Sequence, residues 1–469
     1  ENNIVGLSNW KLIDSESIVD EISKSNINTF FTDHILGNID TSNVGIHNNN
    51  VYFDYNTGLL NTIRIDEAFN SLKTGHTNAI KSNGEYLSYM IYRKLKTFNY
   101  VRVYPNAIPE DTSNWIESYR TEVAIPDPEQ QGGFDRCVLS RDGSYFVVSG
   151  ASTLSPGRVY IYKRNTDLTY TELQWDMHYD NHLLNFGYHA SLSHDANYMV
   201  VTGPAVNYGA FYVFKNVNDT FVKHYELFMF KPEKRRHLYG MHNCVSTDGK
   251  YMVVTATDDF NGGTVYVYKN THDVIREIGM MKNDYRLNST FGIKCVVSDY
   301  GEYIVVSGVQ SNNNGGTVLV YKNDGFDHYE VFADLSISDS GCQYGKAIAI
   351  SGNGEIIVVS GNANDDASGK CYIYRLNRYT NTYDSVHIIE KTATPGFGTA
   401  CDISTERNIL VTGKGNAFVF TSLDLFDTYT EIDLSENSNA VASCISRDGK
   451  QIAIGGPSAN GGTFVIKNV

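Results

Sequence analysis

No stretch of the 469-residue chain holds the roughly 18 consecutive apolar residues that a membrane-crossing helix requires, so the sequence contains no helical span. Basic charge is also short. The 38 Lys and Arg stand against 53 Asp and Glu, a formal net charge of −15. Nucleic-acid binding needs clustered Lys and Arg to neutralise phosphates, which this balance excludes. The one basic run, Lys231 to His237, reads as a solvated loop between two repeats. Tryptophan occurs three times, at Trp10, Trp115 and Trp175, none at a repeated position. Repeated tryptophan platforms for carbohydrate are therefore excluded, and a single tyrosine-lined glycan site is what remains. The seven cysteines are an odd number without paired spacing, which points to thiols and to folding in a reducing compartment. The chain starts at Glu1 without a charged-then-apolar leader, so a signal peptide has been removed or never existed.

What the chain has instead is one phrase repeated. Phe291 to Asn323 reads as three short strands: an apolar run ending at the turn Ser298-Asp299-Tyr300-Gly301, a second run Tyr303 to Val306, and, past an Asn/Gly loop, a third, Thr317 to Tyr321. The phrase recurs from Phe134, Phe186, Tyr239, Tyr344, Phe397 and Ala440, with a more diverged copy from Asn78. The turn glycine or its equivalent falls at 84, 143, 196, 249, 301, 354, 407 and 449, with central steps of 52 or 53 residues. A period near fifty with about four strands per copy is the signature of a β-propeller.

The sequence therefore predicts an all-β propeller over residues 44–469 with about eight four-stranded blades, seven being the alternative. A partly helical arm over residues 1–43 precedes it, where Asp14-Ser15 caps a run containing Ile18, Val19 and Ile22. The last copy supplies three strands and stops where its predecessors add an outer one. An open edge invites aggregation, so an early strand, Leu60 to Ile65, is expected to complete that blade. The third strands, such as Val159 to Tyr162, are apolar on both faces, as stacking between blades requires.

Five cysteines fall on the strand before the turn, with Cys137, Cys295 and Cys401 at one offset and Cys244 and Cys444 one residue later. Equivalent positions in different blades are expected to lie too far apart for a disulfide, so these read as buried thiols. The variable loops before the third strands share one face of the ring. They offer the partner-binding candidates Asn207, Tyr208, Asp258, Asp259, Phe260, Asn312, Asn313, Asn364 and Asp365.

Phe-Gly, Ser-x-Asp-Gly, Val-Val-Ser-Gly and Gly-Gly-Thr-Val-Tyr-Val-Tyr-Lys together resemble the FG-GAP-like propeller repeats, over about Asn78 to Val469. The resemblance implies a propeller used as a binding module, like the ligand-binding propeller of integrin α chains. The aspartate-rich calcium loops of that group are not reproduced. Calcium is still the one cofactor with candidate ligands, Asp258, Asp259, Asp365 and Asp366.

A hydrolase needs two facing carboxylates or a nucleophile with its base. Asp142, Asp248, Asp299 and Asp448 sit in the turns, where an aspartate bonds its own backbone, and they read as structural. His178, His182, His189 and His194 crowd one junction, on elements that need not converge. No catalytic residue is assigned. The reading is a non-enzymatic module of a virus particle or other large assembly, meeting other proteins or a surface receptor. The alternatives are a secreted or cell-surface adhesin, with calcium, and a glycoside hydrolase or lyase. The expected location is a virion or an extracellular surface.

Overall fold

The computed structural model describes strands between residues 45 and 126 and most of residues 133–468. The main exceptions are loops at 152–156, 178–184, 206–207, 231–237, 258–261, 283–289, 310–314, 338–342, 363–367, 405–407 and 435–441. The chain divides into two compact units, Glu1–Ser113 and Asn114–Val469. The first contains a four-stranded sheet of Gly45–His47, Asn50–Tyr52, Thr62–Arg64 and Val103–Tyr104, and a three-stranded sheet of His76–Ser82, Leu87–Arg93 and Asn99–Val101.

The second unit is the propeller. Six blades are built from four consecutive antiparallel strands each, over residues 133–177, 189–230, 238–282, 294–334, 347–392 and 400–433. They are blades 1 to 6 below. A further four-stranded sheet is composite: Ala442–Ile445, Gln451–Ser458 and Gly461–Asn468 take Arg120–Pro126 as their outer strand, in a register running from Gly461 opposite Pro126 to Lys467 opposite Arg120.

This corrects two expectations. The final blade is completed by an early strand, but that strand is Arg120–Pro126, while Thr62–Arg64 pairs with Asn50–Tyr52 and Val103–Tyr104. The copy beginning near Asn78 belongs to the first unit, so the ring does not have eight blades. The reason is a single exchange. In blades 1 to 6 the fourth strand follows the third within the same copy, whereas the strand that follows the diverged first copy pairs with the last one.

Each interval between neighbouring sheets holds its own apolar core. Tyr145, Val147, Val159 and Ile161 of blade 1 meet Met199, Val201 and Tyr212 of blade 2. At the seam, Phe146, Val148, Tyr160 and Tyr162 of blade 1 meet Ala442, Cys444 and Ala453 of the composite sheet. On its other side, that sheet's Ile445, Ile452 and Ile454 meet Leu410 and Val419 of blade 6. Both faces of the middle strands are covered, so Tyr251–Thr257 is buried at every position. The outer strand Val274–Lys282 is instead mostly exposed, with only Ile275 and Met281 buried. Each large side chain in these cores contributes roughly 1.5–3 kcal/mol by leaving water.

Candidate functional site at the channel mouth

Among the described residues the repeated turn between the first two strands of a copy is a small hydrogen-bonded device. Ser140 Oγ accepts the Tyr145 backbone N–H at 2.9 Å and donates to Asp142 Oδ1 at 2.7 Å, and Asp142 also accepts the Ser144 N–H at 3.0 Å. Ser246 with Asp248, Ser446 with Asp448 and Ser351 with Asn353 repeat the arrangement. The structural role read for Asp142, Asp248 and Asp448 therefore holds. The glycine next in the turn has positive φ and lies against the preceding blade. A Cβ on Gly301, at φ +74°, would come within 2.2 Å of the Tyr251 ring.

Asp299 is different and corrects the grouping made from sequence. It stands one position earlier in its turn, directly after Ser298, and Tyr300 occupies the place where Asp142, Asp195, Asp248 and Asp448 stand in other copies. Residues at this earlier position line one mouth of the channel enclosed by the inner strands. A belt of backbone hydrogen bonds runs through them: Arg447 N–H to Arg141 O at 2.8 Å, Arg141 to His194 at 3.2 Å, His194 to Thr247 at 2.9 Å, Thr247 to Asp299 at 2.9 Å, and Asp299 to Gly352 at 2.8 Å.

Across the belt, Arg141 and Arg447 both reach Asp299. Arg141 Nη1 pairs with Oδ2, and Arg447 Nη2 lies 3.1 Å from Oδ1, which also accepts the Thr247 hydroxyl at 2.9 Å. Arg447 additionally donates to the carbonyls of Ile350 at 2.8 Å and Ile403 at 3.2 Å, so it spans from the composite sheet to blades 4, 5 and 6. The Asp299 side chain is 5% exposed. Burial alone would raise its pKa, but Arg447 and then Arg141 outweigh it, and the carboxyl is held below its ordinary range. An acid so fixed is a cross-brace between blades rather than a proton donor.

Deeper along the inner strands, His189 of blade 2 stacks on His242 of blade 3 with ring centroids 3.6 Å apart. Burial, reinforced by the nearby cations Lys294 and Arg136, lowers both pKa values well below the usual histidine range, so both rings are neutral. His242 Nδ1 accepts the Cys295 backbone N–H at 3.3 Å, and its lone pair is therefore engaged. On the opposite side Asp402 of blade 6 accepts the N–H groups of Ile445 and Ile403 at 3.0 and 2.8 Å, and its pKa is raised by burial.

Of the four histidines singled out in the sequence, His178 and His182 lie outside the described residues. His189 is a channel residue, and His194 contributes its backbone to the belt. Among the described residues no group of three or more His, Cys, Asp or Glu is arranged to hold a metal. The calcium candidates Asp258, Asp259, Asp365 and Asp366 lie outside the described residues, as do Asn207, Phe260, Asn312, Asn313 and Asn364. Tyr208 begins the strand Tyr208–Val217, opposite Ala205. The five inner-strand cysteines are free thiols, as the sequence implied, and Cys137 and Cys444, one offset apart on neighbouring inner strands, place their sulfurs 3.5 Å from each other.

Sequence reading also missed two features of the turn face. Asp219 accepts from both Tyr145 at 2.5 Å and Lys163 at 2.6 Å, stapling blade 2 to blade 1. Asp273 and Asp327 repeat the staple with Tyr198 and Lys215, and with Tyr251 and Lys269. The signal was present as a Tyr, a Lys and the next copy's hairpin Asp, with Tyr–Asp separations of 74, 75 and 76 residues. On the same face three aromatic rings stand in solvent: Tyr300 is 56% exposed, Phe326 86% and Tyr379 92%. Tyr300 is in the turn of blade 4, Phe326 in the hairpin beside it, and Tyr379 in the matching hairpin of blade 5. Tyr329 O–H to Gly301 O at 2.6 Å and Tyr383 O–H to Gly354 O at 2.5 Å hold each hairpin against its turn.

Fold and site thus define an all-β propeller whose channel is cross-braced at one mouth. No family model matches the chain, and no curated protein matches it. Among solved structures it is similar to Kuenenia stuttgartiensis hydrazine synthase at 11% identity, over 74% of this chain and 98% of that one, with a TM-score of 0.49. It is also similar to the Myceliophteria thermophila Cps50 (Swd1) β-propeller domain at 9% identity, over 74% and 100%, with a TM-score of 0.49. A chain of the mitotic checkpoint complex matches at 13% identity over 79% and 99%, with a TM-score of 0.48. The propeller fold rests on this chain's own strand pairing.

Proposed function

We propose that this protein is a non-enzymatic protein-interaction module, a rigid FG-GAP-like ring that docks a protein partner on the face carrying Tyr300, Phe326 and Tyr379. The observation that carries the reading is this exposed aromatic group. Asp142, Asp195, Asp248 and Asn353, at the place of Tyr300 in their turns, bond their own backbone, whereas blade 4 has a ring more than half exposed there. Exposed Tyr and Phe are the side chains that anchor interfaces, because they bury much apolar area at low entropic cost. The braced mouth beneath them suits a docking platform, since its carboxylate is already committed to two guanidiniums. Membership of a large assembly, a virus particle first, is supported by the Asn-, Tyr- and Ile-rich composition.

The test is photo-crosslinking from positions 326 and 379 in the native source, with stoichiometry measured after purification. One protein linked in fixed ratio, whose copurification is lost with a Tyr300→Asp/Phe326→Ser/Tyr379→Ser chain that carries no crosslinker and melts like wild type, is the expected result. Equal capture by that triple variant would sink the proposal.

A further inference from the structure

The two ends of the ring meet at a pair of thiols. Cys137 lies on the inner strand of blade 1, Gly133–Leu139, and Cys444 on the inner strand of the composite sheet, Ala442–Ile445. They are 307 positions apart in sequence, and their sulfurs are 3.5 Å apart. The approach follows from the fold. Asn243 of blade 3 likewise meets Ser191, one position later in its own copy, on the blade before it. Cys295 of blade 4 and Cys244 of blade 3 stand at the same two offsets and are also hydrogen-bonded neighbours. Of these two pairs, Cys137 and Cys444 join the first blade to the sheet that closes the ring.

We infer that Cys137 and Cys444 are a disulfide-forming latch that closes the propeller covalently at its seam when the chain folds in the presence of a small-molecule disulfide. The sulfurs, 3.5 Å apart, must approach by roughly 1.5 Å to reach bonding distance. The chemistry is two thiol–disulfide exchanges. One cysteine thiolate attacks a glutathione disulfide and expels one glutathione thiolate; the second cysteine thiolate then attacks the protein sulfur of the mixed disulfide and expels the other. Two protein thiols are oxidised, and one glutathione disulfide is reduced to two glutathiones.

Timing follows from burial. Cys444 is buried in the folded ring, where the nucleophilic thiolate is disfavoured by desolvation and by the neighbouring Cys137 sulfur. The bond therefore forms while the seam is still open and is protected once it closes. Because the loop it closes contains most of the propeller, the entropic model gives a gain in the folding equilibrium constant on the order of 10⁴-fold.

The experiment refolds the reduced, denatured full chain in a glutathione redox buffer and, in parallel, in dithiothreitol. Folded material is then unfolded, alkylated and mapped by mass spectrometry. The expected result is a Cys137–Cys444 linked peptide, a mass lower by two hydrogens, and a higher unfolding midpoint than the dithiothreitol sample. Cys444→Ser should show the dithiothreitol midpoint in both buffers. Both thiols alkylated after glutathione refolding, or a Cys244–Cys295 link alone, would overturn the inference. The mapping uses the unmutated chain, so it decides the matter even if a serine variant fails to fold.

Discussion

Asp299→Asn is the sharpest test of the channel mouth. The substitution keeps the shape of the side chain and removes its charge, leaving the guanidiniums of Arg141 and Arg447 facing each other with side-chain exposures of 8% and 17%. Removing one member of a buried ion network costs roughly 3–5 kcal/mol, and the partial exposure of Arg447 places this site near the lower figure. The propeller unit, Asn114–Val469, has about 350 residues, so its unfolding entropy is about 0.7 kcal/mol per kelvin. A loss of about 3 kcal/mol then lowers the melting temperature by about 4 °C. The pH dependence supplies a second readout. A carboxyl whose folded pKa is depressed contributes stability above its unfolded pKa, near 4, and that contribution is lost as pH falls through the folded value. Calorimetry from pH 7 to pH 2.5 should show a wild-type acid limb that Asp299→Asn lacks in part. A variant melting within 1 °C of wild type, with an unchanged acid limb, would refute the cross-brace. Replacing all three side chains by Met and Leu should recover most of the loss, because no buried charge is then left uncompensated.

Two further outcomes follow from neighbouring features. His189 and His242 have folded pKa values far below the unfolded value near 6.5, so the unfolded chain takes up protons first and stability falls as pH drops below about 6.5. His242→Gln should flatten that slope between pH 7 and 5 in chemical denaturation, and an unchanged slope would contradict the neutral, desolvated pair. Gly301→Ala should cost roughly 2–4 kcal/mol, combining the strain of a positive φ with collision against the Tyr251 ring, whereas Gly325→Ala, at φ +90° with open space around it, should cost about 1–2 kcal/mol. Equal losses in equilibrium unfolding would show that backbone conformation alone decides both.

The sequence by itself determined the repeat, its period, the strands and the turn chemistry, because these are local. A Ser-x-Asp-Gly turn is bonded within five residues, and an apolar strand announces two covered faces wherever it occurs. The need for an early strand at the end of the ring was also legible. Its identity was hinted at by the likeness of Thr121-Glu122-Val123 to Thr171-Glu172-Leu173 and Thr430-Glu431-Ile432, which are fourth strands in their own blades. Only the tertiary structure decided which copies share a ring, since pairing Arg120–Pro126 with Gly461–Asn468 joins segments more than 300 residues apart. It also decided what the inner positions do. A one-residue difference in phase separates Asp299, braced between two arginines, from Asp142, tied to its own turn. The same one-residue offset brings Cys137 to Cys444 across the seam. Such meetings depend on how neighbouring inner strands are staggered around the channel, and stagger is set by packing between blades, which no single copy of the repeat encodes.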